Sequence, residues 1–215
     1  MIRLKNLVQS AAIQLYDENQ SNWSEPELIF WIEEALGALA ALRPDLFTKT
    51  ETIPLVPGGR QETPAESARI IRVLGTRESE SGPMRSVTRF DMRSMNAAHP
   101  NWEAASPGKA RQYTTRSDAD VFWLYPPQPD PAHYAVVEHV AIPQTVDHDA
   151  PEYDTFEIDL DPRFQRSLVD YVLYRAYAKD SDVGAQGQRA MTHYQAFYDG
   201  SGAAQQQEQQ PQRRA

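Results

Sequence analysis

The chain reads as an α+β protein in which N-terminal and C-terminal helix pairs, joined as a helical bundle, bracket a small antiparallel β module. Three observations carry this. Apolar residues recur at helical spacing over residues 2–43 and again beyond 161. After Asp45 the pattern changes to alternation. Between the two, short runs are punctuated by glycine and proline. The expected divisions are a helix pair over 1–47, a β-rich insertion over 48–142, an acidic connector over 143–160, a second helix pair over 161–200 and a glutamine-rich, disordered tail over 201–215.

The first helix is expected over 2–16, where Leu4, Leu7, Val8, Ala11, Ala12 and Leu15 form one apolar stripe. A polar loop over 17–22 ends it. The second helix starts at Ser24 as N-cap, with Glu27 closing a capping box and Trp23 stapling onto Leu28. Pro26 is tolerated in that first turn, where its missing N–H has no intrahelical partner. Arg43 and Pro44 stop the helix.

In the middle, residues 48–56 and 60–63 read as two strands joined by a turn at Gly58 and Gly59. Further strands are expected over 69–75 and 84–89, then a short helix over 91–98 capped by Asp91. Residues 109–115 and 121–125 read as a hairpin around Ser117 and Asp118, ended by Pro126 and Pro127, and 134–142 as one more strand. The connector has room for a short strand near 156–160.

Asp161 and Pro162 open the third helix, about 162–179, and Ser181 or Asp182 opens the fourth, which ends near Gly200. This last pair is densely aromatic. Tyr171, Tyr174, Tyr177, Tyr194, Phe197 and Tyr198 place more ring surface there than two helices bury against each other, which makes them candidate interface residues.

Net charge is −9, and it sits at the helical ends: residues 1–47 carry −4 and 143–200 carry −6, whereas 48–142 balance to zero. Such acidic surfaces do not grip nucleic acid, since phosphate affinity comes from cations that release counterions. They suit a passage along which a polyanion slides, or are simply a solvated acidic face. Within the neutral middle, Arg85, Arg89, Arg93, Lys109, Arg111 and Arg116 face only Asp91 and Glu103. Salt bridging to an acidic neighbouring subunit, nucleic-acid contact and a solvated face are the readings open for this segment.

Apolar content of 40% is modest and cysteine is absent, so neither disulfides nor thiolate metal sites are expected. No apolar run approaches a membrane span, and the amphipathic stretch after Arg3 and Lys5 does not read as a signal peptide. The HExxH, P-loop, GxSxG and GxGxxG spellings are missing. The five histidines fall in different expected elements, and the Asp147, Asp149, Glu152 and Asp154 cluster lacks the register of an EF-hand. No catalytic residue, metal ligand or cofactor is expected.

Six segments in order carry a resemblance: LRPDLFTKTE (42–51), LVPGGRQ (55–61), HPNWEAASPGKARQY (99–113), VFWLYPP (121–127), LVDYVLYRAYAKDS (168–181) and RAMTHYQAF (189–197). Together they resemble the head-to-tail adaptor (connector) proteins of tailed bacteriophages. The resemblance implies a structural virion protein at the head–tail junction, made and assembled in the host cytoplasm. It implies a ring, typically of twelve copies, between the portal protein and a tail or nozzle protein, around a channel that passes genomic DNA without sequence-specific binding. Residues 201–215, with Arg213 and Arg214, would then dock on the portal. A non-catalytic binding module of another assembly and a tail-associated hydrolase are the competing classes.

Overall fold

The computed structural model describes residues 1–115, 121–131, 133–180 and 184–203. It divides into two compact units, Met1–Leu46 with Pro143–Ala215, and Phe47–Ile142.

The chain opens with a two-residue strand, β1 (Ile2–Arg3), rather than the helix its apolar spacing suggests. Ile2 pairs across to Ile158 and is buried, and the Leu4 N–H donates to the Phe156 carbonyl at 3.1 Å. Helix α1 (Leu4–Gln14) therefore begins two residues later than expected, burying Leu4, Leu7, Val8, Ala11 and Ala12. Each such aliphatic side chain contributes about 1.5–3 kcal/mol on full burial, Ala less.

The end of α1 is built with unusual care. Tyr16 N–H donates to the Ile13 carbonyl and Asp17 N–H to the Ala12 carbonyl, the paired bonds of a Schellman motif. Tyr16 sits at the left-handed position of that motif with φ 57°, where glycine is the usual residue. The Asp17 carboxylate then accepts the N–H groups of Ser21, Asn22 and Trp23, each at 2.8 Å, and fixes the loop.

Helix α2 (Glu25–Leu42) buries Leu28, Ile29, Trp31, Ile32, Ala35, Leu36 and Leu39. Its expected capping box is not formed. Ser24 has the extended backbone of an N-cap but its side chain makes no capping bond, and the Glu27 side chain, the other half of the box, pairs with Lys179 at 2.5 Å. Trp23 packs on Trp31, centroids 5.6 Å apart.

In the β unit, β2 (Thr48–Pro54) and β3 (Gly58–Glu62) do not form the expected hairpin. The Gln61 side chain explains why. Its amide accepts from the Val56 N–H and donates to the Val56 and Gly58 carbonyls, closing the loop as a neighbouring strand would. The chain is thereby free to change sheets. One sheet runs β2, β9 (Tyr134–Ala141), β4 (Ser67–Arg77), β5 (Arg85–Ser86); the other runs β3, β8 (Val121–Gln128), β7 (Gln112–Thr115), β6 (Thr88–Arg89).

The expected single strand over 84–89 is likewise split between sheets at buried Val87. Strand β8 continues through both prolines, since the Tyr125 and Pro127 carbonyls still accept from Arg111 and Gly108. Most pairings are antiparallel, β6 with β7 being parallel. Ile53, Val73, Ala135 and Val137 of the first sheet share one core with Tyr113, Phe122 and Leu124 of the second. A short helix α3 (Met92–Ala98) follows β6, its Ser94 N–H capped by Asp91 at 2.8 Å. Met95, Phe90 and Trp102 form a satellite cluster beside it.

Strand β10 (Glu157–Ile158) answers β1. Asp161 accepts from the Arg163 N–H at 2.9 Å to open a 3₁₀ turn over Pro162–Phe164, and α4 (Gln165–Lys179) follows. The fourth helix, α5, is described over Gly184–Ser201; its expected start at Ser181 or Asp182 lies outside the described residues, as does the turn at Ser117 and Asp118. Helix α4 packs against α1, α2 and α5 and is the centre of the bundle. A Cβ on Gly200 would lie 2.2 Å from Ser167 Oγ, so glycine permits the close approach of α5 to α4. The fold is α+β, with the N- and C-terminal helices packed as one bundle and the β strands lying between them in sequence.

Candidate assembly surfaces

The aromatic residues of α4 and α5 meet as a chain of rings. Tyr171 lies 5.0 Å from Phe197 and 5.5 Å from Tyr174, both edge-on, and Tyr174 lies 5.1 Å from Tyr194. Tyr177 stacks on His193 at 5.6 Å and 21°. Much of the ring surface is thus spent between the helices. Phe197 is buried within the helical unit and presents none of it. Tyr171, Tyr174, Tyr177 and Tyr198 are half-buried, and Tyr194 is exposed. A groove of about 480 Å³ runs beside them, lined by Phe30, Trp31, Tyr174, Arg175 and Lys179. Phe30 is 54% exposed there, although Leu28, Ile29, Trp31 and Ile32 beside it on the same helix are buried.

Charged groups stitch the helices beneath this surface. Arg175 pairs with Glu34 at 2.8 Å and Lys179 with Glu27, joining α4 to α2. Burial raises the Tyr171 phenol above its usual range, and nearby Glu34 adds to that. Asp170 is buried in α4 and accepts from Arg166 Nε at 3.0 Å and Nη2 at 3.1 Å, with His193 Nδ1 at 2.9 Å on the same carboxylate. Sequence reading missed Asp170, yet a signal exists: it sits inside the apolar run Leu168–Leu173 with Arg166 one turn before it.

The basic segment is not one patch. Arg85 and Lys109 line a single recess of about 480 Å³ in the β unit, together with Arg77, Glu78 and His133, whose roles spacing did not reveal. Arg89 is exposed in β6, Arg93 in α3 and Arg111 before β7, and none of the three lines that recess. Arg116, Arg213 and Arg214 lie outside the described residues. In the connector, Asp147, His148 and Asp149 bring their ligand atoms within 4.8 Å of one another, whereas Asp154 is taken by Lys5 at 2.5 Å. No helix among the described residues is long and apolar enough to cross a membrane.

A family model described as SU10 adaptor protein matches residues 2–215 of this sequence. The chain belongs to the SU10 adaptor family. That membership spans both units, and it agrees with the resemblance to phage head-to-tail adaptors carried by the six segments. It marks the protein as a structural phage adaptor. Among curated proteins, none matches the chain.

Proposed function

We propose that this SU10 adaptor family member forms a closed ring between portal and tail, around the channel through which the genome leaves the head. The observation that carries the reading is the family match across both units, to which the exposed aromatic surface of the helical unit adds a means of assembly. A ring needs two different complementary patches on each protomer, so that repeated rotation closes. The half-exposed rings Tyr174, Tyr194 and Tyr198 with Phe30 supply one patch, and cations of the β unit supply part of the other. The excess negative charge of the helical unit suits a wall past which DNA slides without sticking. On this reading 1–47 and 161–200 form the ring body, 48–142 spreads toward the tail, 143–160 connects them, and 201–215 reaches the portal through Arg213 and Arg214.

The test mixes the purified chain with the portal protein of its phage and images the product by negative stain. Ring-shaped particles capping the portal are expected from the wild type, and markedly fewer from a Tyr174→Ala, Tyr194→Ala double variant that still folds. A portal left bare by the folded wild-type chain would reject the proposal.

A further inference from the structure

We propose that the recess of Arg77, Arg85 and Lys109 is a carboxylate-binding site that receives the acidic connector of a second copy of this chain. The proposal rests on the ring reading above and names one contact within it.

The recess is constructed rather than incidental. A Cβ at Gly75 would lie 2.4 Å from the Arg85 carbonyl oxygen, so only a glycine lets β5 lie against β4 and set Arg85 beside Arg77. Arg77 donates through Nη1 to the Glu80 carbonyl at 3.0 Å, while its Nε is buried with no hydrogen-bond partner. A guanidinium fork matches a carboxylate, and Arg85 is exposed at the recess. Lys109 is paired with Glu78. Among the described residues, neither Arg77 nor Arg85 has a carboxylate within ion-pair distance. Three cations thus share one acid at the recess. Glu78 is held below the usual carboxylate range by its hydrogen bond and charge contact with Lys109, so it stays ionised and the surplus is real.

The occupant follows from charge. All of the −9 net charge belongs to the helical unit, and the β unit is neutral overall. Residues 143–161 hold seven acids and no Lys or Arg. Of these, Asp154 and Glu157 are engaged by Lys5 and Arg3 of their own unit, whereas Asp147 and Asp149 stand exposed at a turn with only the His148 imidazole between them, at 2.7 and 3.2 Å. A point-like recess containing its own carboxylate suits one or two acidic side chains. It does not suit duplex DNA, which is gripped by a stripe of cations neutralising successive phosphates.

A fluorescent peptide of residues 143–156 is the probe, titrated against the full chain and followed by anisotropy. Saturable binding is expected, weakened at least about tenfold by R85Q/K109Q, both exposed positions whose change leaves the fold intact by circular dichroism. The peptide carrying Asn at 147 and 149 is expected to bind equally poorly. Equal binding by R85Q/K109Q and wild type overturns the site. So does a labelled DNA duplex that binds the wild type, is lost in R85Q/K109Q and outcompetes the peptide. Ring formation with portal is scored separately by negative stain. Rings without peptide binding reject this contact and leave the ring; peptide binding without rings does the reverse.

Discussion

Replacing Phe197 with alanine, and separately Tyr194 with alanine, tests where fold ends and assembly surface begins. The two side chains are one helical turn apart on α5 and in mutual contact, centroids 6.3 Å apart, but Phe197 is 1% exposed and Tyr194 40%. Truncating a buried phenylalanine costs about 3–5 kcal/mol, part transfer and part cavity. For a chain of this size each kcal/mol moves the melting temperature by about 2–4 °C, so Phe197→Ala is expected to lower it by about 6–20 °C. Tyr194→Ala loses ring pairs with Tyr174 and Phe197, each worth about 0.5–1.5 kcal/mol, so its expected shift is about 2–12 °C. Differential scanning calorimetry of both variants, beside light scattering with portal present, gives the answer. The reasoning fails if Tyr194→Ala melts as low as Phe197→Ala, for then the exposed ring is core. It fails equally if Phe197→Ala melts like the wild type.

Three further outcomes follow from local geometry. Gly75→Ala forces a methyl onto the Arg85 backbone and is expected to cost about 1–3 kcal/mol, with amide exchange accelerating at Ser86 and Val87; unchanged protection there would refute the close approach. Tyr16→Gly relieves a left-handed tyrosine and is expected to stabilise by about 1 kcal/mol, read as a higher urea midpoint with the same slope. Asp17 governs part of the acid limb. Burial alone would raise its carboxyl, but backbone N–H groups of Trp23, Asn22 and Ser21 outweigh that and hold it below the usual range. Its contribution is therefore present above the unfolded carboxylate value of about 3.9 and lost as pH falls through the lower folded one. Asp17→Asn is expected to be less stable at pH 7 and to show a flatter acid unfolding profile; an unaltered profile would remove Asp17 from the account.

The helices were the most legible part. The stripes of Leu4 to Ala12 and Leu28 to Leu39 repeat one contact direction every turn, so the sequence alone reports which face is buried. Caps that depend on one neighbouring group were also legible, as Asp91 and Asp161 illustrate. The Glu27 half of the capping box at Ser24 was not, because that side chain pairs with Lys179, 152 residues away. The glycine pair at 58 and 59 invited a hairpin for the same reason: turn chemistry is local, and the Gln61 amide that redirects the chain leaves no periodic mark.

The candidate surfaces divide in the same way. Composition alone identified a ring-rich helix pair and a run of cations in a neutral middle segment. It could not say that Phe197 turns inward while Tyr194 turns outward, since both lie on the aromatic side of α5. Nor could it join Arg77 and His133 to Arg85 and Lys109, which come from four separate stretches of chain.

What the sequence by itself determined is the class of fold, the placement of helices at both ends, and the confinement of negative charge to them, because these are sums and periods over neighbouring residues. What only the tertiary structure decided is which strand pairs with which, which rings remain at the surface, and which cations share a recess. Each of those depends on competition between groups distant along the chain, and the winner is set by distance and burial in space.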